Sequence, residues 1–401
     1  PFVFTGLTPG ADFIVLTVGN EIILESVNGG NPGETVTDVP PPLALVIGDA
    51  FGSAVDVDGN TVVVGIPGMA DSGTGTGAVA IYQVVGGAPV LAEMVQAPLG
   101  FVASGFGTDV AVSGDTLVVG TDGTDPLAGN KSDKGPVSAM AAAILQRTGG
   151  GSWEFRQSLG SSDRSSADSF GTSVAINNNT VVVGAPDDSE AETTGSGAAY
   201  VFNRPGGGTT LFNQAGKVKP PTSNLASRFG QSVAVRNGTV AVGAPRDNPS
   251  GSAATGSVSI YDAVAGAVSR VGTVTGSNSD DAAEFGTSVD VGADSTVIVG
   301  APSETAAGTS ERRGAAYIYA LTNSAINQTN RLTPSQPQAS SRFGQSVTID
   351  RSGIAVGAPS SSVAGVVAGI VHRFGRDTQT EQGQVRSKTG LKGFGSSIAL
   401  S

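Results

Sequence analysis

The chain lacks the residues on which much enzyme and metal chemistry depends. Its 401 residues include no Cys and a single His, His372. Without Cys it can form no disulfide scaffold, no thiolate zinc site and no cysteine nucleophile. One imidazole leaves little scope for histidine acid–base catalysis or for a Ser-His-Asp triad. We therefore expect no catalytic residue and no enzymatic activity.

Charged residues and long apolar runs are also scarce. Only 14% of the residues are charged, against about 25% in an ordinary soluble domain. The net charge of −12 argues against a nucleic-acid partner, because such a partner requires a basic surface. No apolar run reaches the roughly 18 residues of a membrane-spanning helix, so we expect no membrane insertion by this segment.

Glycine, by contrast, is abundant and periodic. Gly (59) and Pro (21) together make up about a fifth of the chain, which is below the roughly 25–30% that marks a disordered chain. Phe-Gly, followed by two small or polar residues and then Val or Ile, recurs at steps of 51 to 64 residues. The Phe residues of these pairs are Phe51, Phe106, Phe170, Phe229, Phe285, Phe343 and Phe394.

The first six copies continue in the same way. A short alternating run, a few turn-forming residues and a hydrophobic run ending in Gly follow each Phe-Gly. In four copies this ending is Gly-Ala-Pro, with the glycines at Gly184, Gly243, Gly300 and Gly357; Gly65-Ile66-Pro67 is a near match and Gly120-Thr121-Asp122 a degenerate one. A polar loop, a third apolar run that often carries Tyr, and a weaker fourth run complete the unit.

This pattern predicts an all-β chain of radially repeated sheets. The runs are four to eight residues long, rich in Val, Ile, Thr and aromatics, and bounded by Gly, Asn, Asp and Pro. Four antiparallel strands with their loops need about 55–60 residues, which matches the repeat. The second run is apolar at nearly every position, as expected of a strand buried on both faces. A β-propeller of four-stranded antiparallel blades satisfies all of these observations.

We expect seven blades in a single propeller domain, residues 1–401, with the ring closed through the termini. Six blades begin near residues 51, 106, 170, 229, 285 and 343. The seventh is predicted to combine residues 394–401 with 1–27, and 28–50 form a connector. In this composite blade we assign 2–6 to the second strand, 12–18 to the third and 21–27 to the fourth. Such closure removes the open edges of the ring.

The paired motifs resemble the FG-GAP repeats of the integrin α-subunit propeller family, over nearly the whole chain. The resemblance implies an extracellular or cell-surface protein that acts in adhesion or ligand binding. Many members carry a calcium loop of the type Asp-x-Asp-x-Asp-Gly-x-x-x-Asp, of which Asp56-Val57-Asp58-Gly59 keeps a fragment. Calcium takes about six to eight oxygen ligands, and the short hairpin that holds this fragment cannot offer them, so we expect no cofactor here. Binding of a calcium ion at the loop of Asp133 or of Asp188 remains an open alternative.

The family's ligand-binding face carries the loops between second and third strands and the loops that enter the next first strand. These loops are long and vary between copies here, and variable loops on a rigid scaffold are common sites of function. The charged candidates on them are Asp187, Asp188, Glu190, Arg246, Asp247, Glu311, Arg312 and Arg313.

Other residues that could carry chemistry are expected to be structural. His372 and the five tyrosines fall on third strands, where we expect packing, and Trp153 stands alone on an outer strand. Asn-x-Ser/Thr sequons, which would be glycosylated in a secreted eukaryotic protein, occur at Asn130, Asn178, Asn237 and Asn327.

Three functions remain open on this evidence. The first is an extracellular adhesion or ligand-binding module whose partner is a protein or a glycan. The second is a structural subunit of an extracellular filament, sheath or coat, whose partners are further copies of itself. The third, a hydrolase or lyase, fits least well because the chain has one His and few aromatic residues.

Overall fold

The chain folds entirely into β-strands and turns in the part that the computed structural model describes. That part comprises residues 13–18, 21–26, 37–39, 49–71, 74–75, 77–98, 105–121, 142–163, 168–189, 195–205, 211–221, 226–249, 255–264, 266–278, 282–306, 308–322, 325–363, 365–386 and 393–400. Across these residues, no helix is long and apolar enough to cross a membrane.

Three N-terminal strands precede the repeats. They are β1 (Phe13–Val18), β2 (Glu21–Ser26) and β3 (Thr37–Val39). Six blades of four antiparallel strands then follow along the chain.

Blade I contains β4 (Val55–Asp58), β5 (Thr61–Ile66), β8 (Ala78–Val85) and β9 (Ala88–Gln96), with a small hairpin of β6 (Ala70–Asp71) and β7 (Thr74–Gly75). Blade II contains β10 (Val110–Ser113), β11 (Thr116–Gly120), β12 (Ala142–Arg147) and β13 (Trp153–Leu159). Blade III contains β14 (Ser173–Asn177), β15 (Thr180–Ala185), β16 (Ala198–Asn203) and β17 (Asn213–Val218).

Blade IV contains β18 (Ser232–Arg236), β19 (Thr239–Ala244), β20 (Ser257–Val264) and β21 (Ala267–Val274). Blade V contains β22 (Ser288–Val291), β23 (Thr296–Ala301), β24 (Ala315–Thr322) and β25 (Ala325–Leu332). Blade VI contains β26 (Ser346–Ile349), β27 (Ile354–Ala358), β30 (Ile370–Phe374) and β31 (Glu381–Arg386), with a hairpin of β28 (Ser362–Val363) and β29 (Val366–Val367). The last strand is β32 (Ile398–Leu400).

The hydrophobic core lies between the blades. Second strands such as β5, β19 and β23 are buried at every position, as the unbroken apolar runs predict. The core is a series of clusters that each join two neighbours; in one of them Val182 and Val201 of blade III pack with Phe229 and Val240 of blade IV. Each blade is therefore stabilised mainly by the next one, as in other repeat architectures.

The tight turns between first and second strands follow the predicted chemistry. Gly59 and Asn178 both have positive φ, 55° and 53°. Gly and Asn are the residues that adopt this left-handed conformation at least cost. These turns lie at one end of each blade, which we call the hairpin face.

The remaining four strands form one composite sheet in the order β3-β2-β1-β32. The structure thus shows six blades of consecutive strands rather than seven, together with this sheet made from both ends of the chain. β32 pairs antiparallel with β1, with Ile14 opposite Leu400. The residues just before β32 contact the blades on both sides. Ser346 Oγ of blade VI donates to the Gly395 carbonyl (2.7 Å), and the Val55 amide of blade I donates to Ser397 Oγ (3.1 Å).

The predicted order of strands in this sheet is wrong by one strand. Segment 12–18 contains the second strand rather than the third, 21–27 contains the third rather than the fourth, and the fourth, β3, lies inside the predicted connector. The assigned segment 2–6 lies outside the described residues. The sequence of β1, Phe-Ile-Val-Leu-Thr-Val, has the nearly continuous apolar character of the other second strands, which agrees with its place in the sheet.

Candidate functional site

The Phe-Gly and Gly-Ala-Pro turns of neighbouring blades interlock. Gly230 of blade IV has φ 90°, and its carbonyl oxygen points at the backbone of Gly184 in blade III. Ser173 Oγ of blade III donates to the same carbonyl at 2.8 Å. The contact recurs at four further junctions, where Ser53, Ser232, Ser288 and Ser346 donate to the carbonyls of Gly107, Gly286, Gly344 and Gly395 at 3.3, 2.9, 3.0 and 2.7 Å.

The residue after each Gly-x-Pro turn is fixed by one backbone bond. The Asp187 amide donates to the Asp168 carbonyl and the Arg246 amide to the Ser227 carbonyl, both at 3.2 Å. The acceptor is always the residue two places before the Phe of the same blade. The two predicted sets of loops therefore lie on one face of the propeller, which we call the Phe-Gly face.

Two predicted ligand residues are buried beneath this face. Asp188 is 3% exposed and Asp247 is 1% exposed. Asp188 accepts a hydrogen bond from the Tyr200 hydroxyl (2.6 Å) and pairs with Lys217 Nζ (2.9 Å). Asp247 accepts from Ser257 Oγ at 2.5 Å. The prediction that these two carboxylates face a ligand is corrected: the turn after Pro directs the second side chain inward, onto the third strand.

Blade V repeats this buried arrangement with other residues. Glu304 is 1% exposed; it accepts a hydrogen bond from the Tyr317 hydroxyl at 2.5 Å and pairs with Arg331. Burial and the carboxylate contacts raise the pKa of Tyr317 above its usual range. The tyrosine hydroxyl and the carboxylate are therefore held against each other beneath the face. The signal in the sequence was an acid two residues after Pro and a Tyr three residues into the next strand.

The other predicted residues of the Phe-Gly face remain accessible in part. Arg246, Glu311 and Arg312 are exposed, and Arg313 is half-buried and pairs with Glu311 at 2.6 Å. Asp187 is half-buried and accepts from Ser169 Oγ at 2.6 Å. Glu190, Asp133 and Asn130 lie outside the described residues.

His372 occupies in blade VI the position of Tyr200 and Tyr317. It is 2% exposed, its ring packs edge-on against Phe343, and Nδ1 lies 2.8 Å from Glu381 Oε1. Burial lowers the pKa of His372 below its usual value, although Glu381 opposes this. The imidazole is thus buried in the packing of blade VI, as expected of a third-strand residue.

The tyrosines and the tryptophan are packing residues too. All five tyrosines lie buried on third strands, as expected: Tyr82, Tyr200, Tyr261, Tyr317 and Tyr319. Trp153 is also buried, beneath the guanidinium of Arg147 at 4.9 Å.

The first strands surround a central cavity of about 460 Å³. Three half-buried carboxylates there latch one blade to the next. Asp56 and Asp109 accept the Val112 and Val174 amides, both at 2.7 Å, and Asp290 accepts the Ile349 amide at 2.8 Å. Burial raises the pKa of Asp56 and of Asp109 to about 7 and that of Asp290 to about 6, against the effect of the amide bonds.

The calcium-loop fragment serves the same latch. Asp56 is held as above, and Asp58 accepts the Gly114 amide of blade II at 2.5 Å. Within the described part of the chain, no group of three or more His, Asp or Glu residues is placed to hold a metal ion.

Three sequon asparagines are exposed. Asn178 and Asn237 lie at turns of the hairpin face, and Asn327 lies on the outer strand of blade V. The Asn237 side-chain amide donates to the Ala293 carbonyl at 2.9 Å.

A family model described as "FG-GAP repeat" matches residues 153–202, 212–261 and 326–374. Each match runs from the outer strand of one blade through the third strand of the next. No curated protein matches the chain. Two solved structures are similar over nearly their whole length: a protein from Lactobacillus plantarum (11% identity, TM-score 0.59, 98% of this chain and 99% of that one) and a candidate 6-phosphogluconolactonase from Bacteroides uniformis (12%, 0.57, 98% and 100%). At such identities the similarity shows the propeller fold alone.

Proposed function

We propose that this chain, an FG-GAP-repeat β-propeller, is an extracellular or cell-surface module that binds a protein or glycan through its Phe-Gly face. The backbone of that face repeats from blade to blade, whereas its side chains differ between blades. Variable side chains on fixed backbone positions are what a recognition surface needs.

The observation that carries the proposal is the position after each Gly-x-Pro turn. In all five blades with such a turn, this residue donates its amide to the equivalent carbonyl, at 2.9 to 3.2 Å. Its side chain nevertheless changes from copy to copy: Gly68, Asp187, Arg246, Ser303 and Ser360. A purely structural turn would favour one residue type here.

The exposed arginine side chains of the Phe-Gly face allow the proposal to be tested. Arg246 is exposed, and exposed Arg312 lies next to the Arg313–Glu311 pair. Arginine is enriched at binding hot spots because its planar guanidinium makes several directed hydrogen bonds. We expect these two residues to contribute most to binding.

The test is a screen of the intact protein on glycan and matrix-protein arrays, followed by variants. Arg246→Glu and Arg312→Glu should each weaken binding to the ligand found by about tenfold or more. Arg270→Glu, on the outer strand of blade IV, is the matched control and should bind normally. Binding that survives both loop variants, or no array ligand at all, would overturn the proposal.

A structural subunit is the second candidate, and one observation favours it. Leu91 and Phe155, on the outer strands of blades I and II, are each 41% exposed. The equivalent positions of blades III, IV and V carry Gln214, Arg270 and Gln328. An apolar outer edge on two adjacent blades suits contact between copies. Light scattering after size exclusion decides, since a strict monomer at tens of micromolar contradicts assembly.

We also propose that the composite sheet is the seventh blade and closes the ring. Support comes from its repeat-like junctions: Gly395 approaches Gly357 of blade VI as Gly230 approaches Gly184, and Ala399 packs in the cluster of blade I. Neither this role nor the binding function requires a catalytic residue or a cofactor, and we propose none.

A further inference from the structure

A polar cleft lies on the hairpin face between blades II and III, opposite the Phe-Gly face. It has a volume of about 530 Å³, and no apolar side chain lines it. Its hydrogen-bonding side chains are those of Ser113, Asp115, Thr116, Gln146, Asn178, Asn179 and Arg204. A cleft of this size and chemistry can accept a small, strongly hydrated ligand.

Among the described residues, the groups that Arg204 contacts by hydrogen bonds in this cleft are all neutral. Its Nε donates to Asn179 Oδ1 at 3.1 Å, and its terminal nitrogens lie 3.4 Å from Thr116 Oγ1 and from the Asn178 carbonyl. The guanidinium packs over the Phe212 ring at 4.9 Å. Its position is therefore fixed while its strongest donors make only long contacts.

Arginines at the corresponding place in two other junctions each pair with a carboxylate. Arg147 of blade II lies 3.7 Å from Asp115, and Arg376 of blade VI lies 2.5 Å from Asp294. Like Arg204, both also reach a Thr that begins the second strand of the preceding blade, Thr61 and Thr296. The hairpin position that holds Asp115 in blade II holds a neutral residue, Asn179, in blade III.

We propose that this cleft binds an acidic saccharide, whose carboxylate or sulfate group lies on Arg204. A guanidinium binds such a group by donating two parallel hydrogen bonds to its oxygens. The carboxylate of Asp115 and the amides of Gln146 and Asn178 are suited to sugar hydroxyls, because they offer acceptors and donors side by side.

The composition of the cleft selects a sugar over other anions. Asp115 lies in the lining and the chain carries a net charge of −12, so a bare anion gains little here. An acidic peptide would bring apolar side chains, for which the lining has no partner. A sugar acid matches both the single cation and the surrounding acceptors. The site is independent of the Phe-Gly face and stands if the function proposed for that face fails.

The decisive variant is Asn179→Asp. It gives Arg204 the carboxylate that Asp115 gives Arg147, so the fold is expected to tolerate it. The matched control is Asn60→Asp, the same change at the equivalent hairpin of blade I, where Val84 stands in place of the arginine. Arg204→Gln is a second loss variant, checked by its melting temperature because it removes packing on Phe212.

Unglycosylated protein is titrated calorimetrically with oligouronates and sulfated oligosaccharides, their methyl-esterified or desulfated forms, and sodium sulfate or acetate. We expect saturable binding of at least one acidic saccharide, weakened at least about tenfold by Asn179→Asp and by Arg204→Gln and unchanged by Asn60→Asp. The neutral forms should bind at least about tenfold more weakly. Unaltered binding by Asn179→Asp, equal affinity for the free anions, or no saturation by any saccharide would overturn the proposal.

Discussion

The carbonyl oxygen of Gly230 lies 2.0 Å from the position that a Cβ atom would take on Gly184. Real Cβ atoms do not come this close to backbone oxygen, so a side chain at either end of the contact would push two blades apart. The Phe-Gly motif of one blade and the Gly-Ala-Pro motif of the preceding blade are thus two halves of one junction. This contact explains physically why both glycines recur.

Replacing Gly184 by Ala should therefore destabilise the protein by about 2–3 kcal/mol, because overpacked backbone has little freedom to relax. The matched control is Gly149→Ala, since a Cβ there meets nothing within 4 Å. The measurement is the free energy of unfolding in urea. Equal values for the two variants would show that the junction is looser than the contact implies.

The three carboxylates of the central cavity, Asp56, Asp109 and Asp290, predict an unusual dependence of the protein's stability on pH. The pKa of Asp56 is about 7 in the fold and 3.8 as its ordinary value. Between these two values the folded protein binds more protons than the unfolded chain, so stability falls as pH rises. Asp109 and Asp290 act in the same direction. Buried His372, whose pKa is lowered, opposes them, because its contribution is lost as pH falls below its unfolded pKa.

A variant isolates this effect from that of other groups. Asp56→Asn keeps an acceptor for the Val112 amide but cannot ionise. Relative to the wild type, it should gain about 1–2 kcal/mol of stability between pH 4 and pH 8, allowing for water in the channel. Glu154→Gln, on an outer strand, should show no such gain. If the stability of the wild type and of Asp56→Asn changes with pH in parallel across this range, ionisation of Asp56 does not destabilise the fold as predicted.

The sequence was sufficient for the blades because one period of Val-rich runs and glycines repeats with little change. It was insufficient at the ends of the chain, where segment 12–18 shows apolar character but no neighbouring motif that fixes its register. The sequence predicted that the two ends of the chain combine, but only the fold shows that β1 is the strand that pairs with β32.

The same limit applies to the candidate residues. Asp187 and Asp188 are adjacent and chemically identical, so their sequence offers no reason to separate them. The turn after Pro186 leaves the first carboxylate half-buried and places the second against Tyr200. Arg204 was missed because its significance depends on the neutral Asn179 beside it, and this is visible only by comparison with the pairs in other blades.

Asp188 and Asp187 give a direct test of that separation. Asp188→Ala leaves the largely buried Lys217 without its inner partner and the Tyr200 hydroxyl with only Asp163. Loss of one partner of a buried pair is costly, so we expect destabilisation by about 2–3 kcal/mol. Asp187→Ala should cost less than about 0.5 kcal/mol. Thermal and urea unfolding measure both, and similar losses for the two variants would contradict the assigned burial.

The pairing of β32 with β1 makes the last strand a separable part. β32 brings Ile398 and Leu400 into the cluster of blade VI, together with the fully buried Phe394. A protein that ends at residue 392 should expose this cluster and the free edge of β1, and should melt at a lower temperature than the full chain. A synthetic peptide of residues 393–401 should bind it and restore the transition, because a ligand of the folded state stabilises that state.

The peptide also carries its own control. Gly395 has φ 83°, and a Cβ there would lie 2.7 Å from Val371 Cγ2. A peptide with Gly395→Val should therefore bind at least about tenfold more weakly than the natural one, as fluorescence anisotropy of a labelled peptide would show. If the shortened protein melts like the full chain, or if both peptides rescue it equally, the ends of the chain do not fasten the ring in the way that β1 and β32 indicate.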